Sequence, residues 1–260
     1  MVPDQRPVSV LSLTDGRAPG YVQFSTGKWP LAMIVHEAWV LHSTDMESFV
    51  ASIDSGWRIL GKLSTSISVR DFLDLSQPLA RYGRYPMWSL ALPWSDNSMS
   101  QIRRTLPRKI VRNRRTNGLP IRRFLTREKV MKMDAEHSGK SHAIQFWHLL
   151  NSINNDGFWS GVNASDPLTA VNLVDNKSQS WILRSGTHRS ISALTLGYEE
   201  IPAQIVQTVK RCEAPAWPNV KNRVYSVHQA LEIFDRYMAG HQSKRNQELL
   251  SELRNLWPKA

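Results

Sequence analysis

The chain has 260 residues, 41% of them hydrophobic and 21% charged, a balance that supports a sizeable core and excludes global disorder. A single cysteine, Cys212, excludes an internal disulfide and any thiolate-rich metal site within one chain. No apolar run approaches the ~18 residues of a membrane span. The start MVPDQRPVSV lacks the basic and apolar blocks of a signal peptide, so a cytoplasmic protein is expected.

The net charge of +11 is concentrated in one place. Between Asp96 and Glu128 there is no acid, while Arg103, Arg104, Arg108, Lys109, Arg112, Arg114, Arg115, Arg122, Arg123 and Arg127 all fall in that interval. The rest of the chain is therefore close to neutral, and the anionic partner it implies is local: a phosphate-rich ligand, a nucleic acid or an anionic surface.

In chain order, residues 1–28 carry Pro, Gly and Ser without periodicity and are expected to form an extended arm. The run LAMIVHEAWVL from Leu31 fits a buried strand or a short helix equally well. Thr44 or Asp45 is expected to cap a helix running through Ser55 and stopped by Gly56. Ser68 to Leu75 reads as a short helix ending before Pro78, and the Pro- and aromatic-rich stretch from Tyr82 to Trp94 as irregular packing. Ile102, Leu106 and Ile110 recur at helical spacing, so a helix is predicted from Ser98 or Ser100 to about Arg115. Arg104, Arg108 and Arg112 run beside that edge, and Pro107 is expected to kink or divide the helix. Residues 29–127 then make an N-terminal region that closes with a basic helical segment, 98–127.

Later punctuation is clearer. Ser141 to Asn155 predicts an amphipathic helix, with Ile144, Trp147, Leu149, Leu150 and Ile153 on one side. Ala170 to Val174 and Trp181 to Leu183 predict short strands joined by the polar turn DNKSQ. Gly186 gives a sharp turn, after which Thr187 is expected to cap a helix that ends at Gly197. Ile201 to Val206 predicts a third strand, and Ser226 to Met238 a well-patterned helix stopped at Gly240 before a polar helical tail.

The segment SWILRSGTHRSISALTLGYEEIPAQIV, from Ser180, carries most of the chemistry. A strand runs into a glycine turn and then a helix whose first turn holds Thr187, His188 and Arg189. Unsatisfied amides and the helix dipole favour an anion at such a terminus, and Arg189 adds a planar fork suited to phosphate oxygens. The order strand, Gly-x-His-Arg, helix, Leu-Gly, Ile-Pro, strand, with HAIQFWHLLNSINNDGF upstream, resembles the phosphate-binding box of the ParB/sulfiredoxin superfamily over residues 128–210. That resemblance implies an α+β fold, a small mixed sheet with helices, and a nucleotide held through Ser185, Gly186, Thr187, His188 and Arg189. It also implies ATP or another nucleotide with magnesium as cofactor, and places residues 211–260 in a C-terminal helical extension.

The departures from that superfamily are informative. Sulfiredoxins carry a cysteine where Thr187 stands, so sulfinic-acid reduction is excluded. The pattern is nearest to that of free serine kinases, with Ser185 in place of their aspartate, and it is also similar to uncharacterised ParB-like proteins of polysaccharide gene clusters. An acid or base serving the acceptor is expected at the upstream helix, where Glu136, His137 and His142 stand; Glu136 or His142, with His188, are the catalytic candidates. Ser138-Gly139-Lys140-Ser141 is not a P-loop, because Asp134 occupies the place of the required glycine. Asp134, His137 and His142 share no helical face, so no built-in metal site is expected. Two functions follow as expectations: a phosphotransferase acting on a small hydroxylated acceptor, or a ParB-like nucleotide-binding protein that contacts nucleic acid through Arg104, Arg108, Arg112 and Arg115. A nuclease is weaker, since no carboxylate cluster suggests a two-metal site.

Overall fold

A computed structural model describes residues 7–18, 22–65, 67–116, 126–127, 129–130, 139–158, 168–176 and 178–256. The fold is a mixed α+β arrangement around a six-stranded sheet of order β1-β6-β4-β5-β2-β3. The central strand β4 (Leu168–Val174) pairs antiparallel with β5 (Gln179–Ser185) and parallel with β6 (Glu200–Lys210). In β4 the expected alternation of buried and half-buried residues is broken where Ala170 and Val171 are both buried. The register with β6 shifts between those two residues, and a bulge that re-aims successive side chains is the cause.

Within the expected arm, the described residues form strands. Val8–Ser12 (β1) pairs antiparallel with β6, Gly16–Ala18 (β2) pairs parallel with β5, and Val22–Gln23 (β3) closes the far edge on β2. These strands are too short to show a period of their own; partners more than a hundred residues away create β1 and β2, and β3 then pairs on β2. Gly16 is required here because a Cβ would stand 2.4 Å from the Trp181 ring. That ring packs on Phe24 at 4.9 Å and donates its indole N–H to the Ser12 carbonyl at 2.8 Å.

Helix chemistry follows the sequence more closely. The ambiguous run from Leu31 is helix α1 (Pro30–His42), with Pro at its start, where a missing N–H costs nothing. Helix α2 (Met46–Thr65) begins on Asp45, whose Oδ1 accepts from the amides of Glu47 and Ser48 at 3.0 and 3.3 Å. It does not stop at Gly56, which is buried within the helix; packing overrides the small propensity cost of a glycine. Helix α3 (Val69–Leu73) carries a Ser68–Asp71 capping box. Two 3-10 turns, Tyr82–Arg84 and Met87–Ser89, make up the irregular stretch. Helix α4 (Met99–Thr116) is not divided by Pro107. Further helices among the described residues include α5 (Gly139–Asp156), α6 (Thr187–Thr195), α7 (Pro218–Lys221), α8 (Val227–Ala239) and α9 (Lys244–Leu256). Helix α8 has a Ser226–Gln229 capping box and ends at left-handed Gly240.

Helix α1 packs on α2, α2 on α5, α5 on α6 and α6 back on α1. Trp39, Phe49 and Trp147 fill the space between the first three, with ring centroids 5.2 to 6.0 Å apart. Phe49 is fully buried, which contributes about 2 kcal/mol from its apolar surface alone. Trp94, Trp217, Phe234 and Tyr237 form a second aromatic group that fixes α8. One continuous apolar cluster runs from Leu13 to Leu253 and includes residues from both halves of the sequence. Among the described residues no helix is long and apolar enough to cross a membrane.

Candidate functional site: a histidine pair beside a glycine turn

Strand β5 delivers Ser185 to the surface, where its hydroxyl shares a 2.8 Å hydrogen bond with Thr169 of β4. The chain then reverses through Gly186, at φ +91° and ψ 28°, a region open to glycine and strained for other residues. Gly186 is needed for space as well: a Cβ would stand 1.8 Å from Cδ2 of Leu168. The Gly186 carbonyl accepts from both the amide and the hydroxyl of Ser190, at 3.0 and 3.1 Å, and this locks the start of α6.

This geometry corrects one expectation. Thr187 is the first residue of α6 and not its cap; the cap position is Gly186, which provides no side-chain bond. Thr187, His188 and Arg189 therefore make up the first helical turn, all half-buried. Amides in that turn lack partners inside the helix, and the dipole is positive there.

His188 is joined by a residue from the upstream helix. Its Nε2 lies 2.8 Å from Nδ1 of His142 on α5. Two candidates that the sequence placed 46 residues apart thus form one hydrogen-bonded pair. The rings are nearly parallel, 4.9 Å between centroids. Trp57 of α2 stacks on the outer face of His142 at 4.4 Å, and Phe146 approaches His188 at 4.7 Å. Trp57 and Phe146 carried no signal in the sequence: Trp57 falls past the expected helix stop at Gly56, and Phe146 is one apolar residue within the expected helix from Ser141.

The aromatic clasp sets the electrostatics. Burial holds the His142 imidazole down to about 4, and the neighbouring His188 charge acts in the same direction. Burial likewise lowers His188. At neutral pH both rings are uncharged, and one N–H donates to the other's lone pair. The two remaining nitrogens, Nε2 of His142 and Nδ1 of His188, bracket this bond, so a proton accepted at one can be released at the other. An anion beside the turn raises both affinities for protons.

The depressed values carry a stability consequence. An unfolded histidine titrates near the ordinary 6.5, whereas folded His142 titrates near 4. The unfolded chain thus binds more protons between those values, and stability falls as pH drops through that window. We expect a loss of up to about 3 kcal/mol from His142 between pH 7 and pH 4, read as a falling urea midpoint. In His142→Gln, which keeps a polar side chain but does not titrate, the slope over this window becomes shallower; an unchanged slope contradicts the assignment.

At the start of α5 the carboxylate of Asp54 is buried and stands against Gly139, where a Cβ would come 2.4 Å from its Oδ1. Asp54 also pairs with Arg58 at 2.6 Å. Ser138 of the Ser138-Gly139-Lys140-Ser141 run lies outside the described residues. Glu136 and His137 lie outside the described residues. Among the described residues no group of three His, Cys, Asp or Glu side chains converges as a metal site.

The basic helix α4 is separate in its support. It packs mainly on the Met87–Ser89 turn, and Arg103 lies over the Tyr85 ring at 4.5 Å, anchoring the helix through a cation–π contact. Arg104, Arg108, Arg112 and Arg115 are all exposed. The chain matches no family model, no curated protein and no solved structure in comparisons with known proteins.

Proposed function

We propose that the β5–Gly186–α6 turn binds the phosphates of a nucleotide and that the protein is a nucleotide-dependent phosphotransferase acting on a small hydroxylated acceptor. The observation that carries this reading is the contact between His188, in the first turn of α6, and His142, on the neighbouring helix. Phosphate bound at the turn meets the helix amides and Arg189, while the histidine pair lies alongside to take the acceptor proton. The nucleotide brings magnesium with it, and its phosphates are the negative charge the helix start favours. The resemblance of this segment to the ParB/sulfiredoxin-type box supports the reading. The Thr169–Ser185 bond occupies the place where the serine-kinase pattern has an aspartate.

The test is thermal unfolding with ATP, ADP, CTP and GTP, each with magnesium, for the wild type and Arg189→Ala. A nucleotide at a hundred times its dissociation constant stabilises by about 2.7 kcal/mol. We expect that shift in the wild type and its loss, relative to the variant's own baseline, in Arg189→Ala. The absence of a shift with all four nucleotides overturns the reading. Lowering the pH from 8 to 6 strengthens binding if the histidine pair takes up a proton beside phosphate.

A second reading is favoured by the exposed row Arg104, Arg108, Arg112 and Arg115 on α4: a ParB-like protein in which nucleotide acts as a switch and α4 contacts nucleic acid. It requires binding to DNA or RNA that falls steeply with salt. Phosphoryl transfer to a small acceptor tolerates moderate salt, so the salt dependence separates the two.

A further inference from the structure

A cavity of about 560 Å³ lies beside β5, on α1, α2, α3, α8, α9 and the segment around Met87. Trp29, Leu60, Phe72, Trp88 and Leu249 supply much of its wall, and Ile182 and Leu183 of β5 complete it. Among the described residues no charged side chain lines it. One lining residue is out of place in such a wall: Asn246, in the first turn of α9, is only 8% exposed, and its amide Nδ2 has no hydrogen-bond partner. A buried amide without a partner costs about 1–3 kcal/mol, and large wild-type cores rarely leave one.

We propose that this cavity is a binding site for a neutral, mainly hydrocarbon molecule with a single carbonyl oxygen, which accepts from the Asn246 side-chain amide. The volume falls within the usual span of small-molecule sites, about 300 to 1,000 Å³. The apolar wall rewards hydrocarbon and strongly disfavours an ionised group, for which its described lining offers no counter-charge. The amide then fixes the position of the one polar atom, as isolated polar groups in apolar pockets do. The site shares β5 with the phosphate turn, since Leu183 stands two residues before Ser185, but it makes no use of the turn's residues and stands or falls independently of the phosphotransferase reading.

The probe is valerophenone, a phenyl ketone, titrated calorimetrically into the full chain beside 5-phenylpentanoate, which has similar size but carries a carboxylate. We expect saturable one-site binding of the ketone and binding at least about tenfold weaker for the anion. In Asn246→Leu, which keeps the volume and removes the amide, ketone affinity is expected to fall about fivefold to tenfold. Leu249→Trp, which fills the cavity, is expected to abolish binding while leaving nucleotide-induced stabilisation intact. Absence of saturable ketone binding to the wild type, equal affinity for ketone and carboxylate, or an Asn246→Leu variant that is folded by circular dichroism and binds the ketone unchanged each overturns the proposal. The wild-type comparison of the two ligands decides the matter even if a variant does not fold.

Discussion

Arg17→Ala is expected to destabilise the protein by about 4 kcal/mol, among the largest losses from any single side chain. Arg17 sits on β2 and is only 6% exposed. Its Nε donates to the Tyr237 carbonyl at 2.8 Å and its Nη2 to the Met238 carbonyl at 2.9 Å. Its Nη1 donates to the carbonyls of Thr14 and Gly16 at 3.0 and 2.8 Å. The guanidinium thus closes the C-terminal end of α8, where the dipole is negative, adding a second donor to the Tyr237 carbonyl, which also accepts from the Gly240 amide at 3.2 Å. Burial lowers the guanidinium from its usual range, and the Asp15 charge opposes that shift; the carbonyl fork keeps the cation in place. Truncation to alanine removes the tie between β2 and the end of α8, takes a donor from the Met238 carbonyl and leaves a hole in the packing. Arg17→Lys is expected to recover less than half of the loss, since one ammonium cannot serve both strand and helix carbonyls. Urea unfolding of the three proteins checks this, and a cost below about 1 kcal/mol for the alanine variant refutes it.

Gly186→Ala is expected to cost about 3 kcal/mol and to remove nucleotide-induced stabilisation. Two terms add. An L-residue at φ +91° is strained by about 1–3 kcal/mol, and the new methyl stands 1.8 Å from Cδ2 of fully buried Leu168, an overpacking cost of a further 1–3 kcal/mol or so. Leu168→Ala alone loses about 3 kcal/mol by opening a cavity. Because the smaller side chain also relieves the collision, the double variant should cost less than the sum of the singles by at least about 1 kcal/mol. Additive costs would falsify the steric account while leaving the backbone term. The same experiment bears on the phosphate turn: Gly186→Ala moves the first turn of α6 relative to β5, so the nucleotide shift should vanish even in molecules that remain folded.

How far the candidate site could be read in advance differs from residue to residue. Gly186, Thr187, His188 and Arg189 were legible because a strand, a glycine and a helix start are local chemistry, fixed by neighbours within one turn. Their detailed arrangement was not. Thr187 reads as a cap by type, yet the chain enters the helix through a left-handed glycine, and the cap position falls one residue earlier. Gly56 reads as a helix stop, yet α2 continues to Thr65, because burial between helices outweighs about 1 kcal/mol of propensity. His142 and His188 were each singled out, but no sequence pattern joins them; only the packing of α5 on α6 does.

The sequence by itself determined what is decided over a few residues: the helix starts at Ser68 and Ser226, a cap at Thr44 or Asp45, the glycine turn at 186 and the basic face of α4. It also determined the concentration of positive charge between Asp96 and Glu128. Only the tertiary structure decided that residues 8–23 supply three strands of the sheet and that Arg17 closes a helix 220 positions away. It alone placed two neutral histidines between Trp57 and Phe146. The physical reason is the range of the forces involved. Caps and turns are settled by hydrogen bonds between near neighbours, whereas strand pairing, burial and the titration of a buried ring depend on which distant surfaces the whole chain brings into contact.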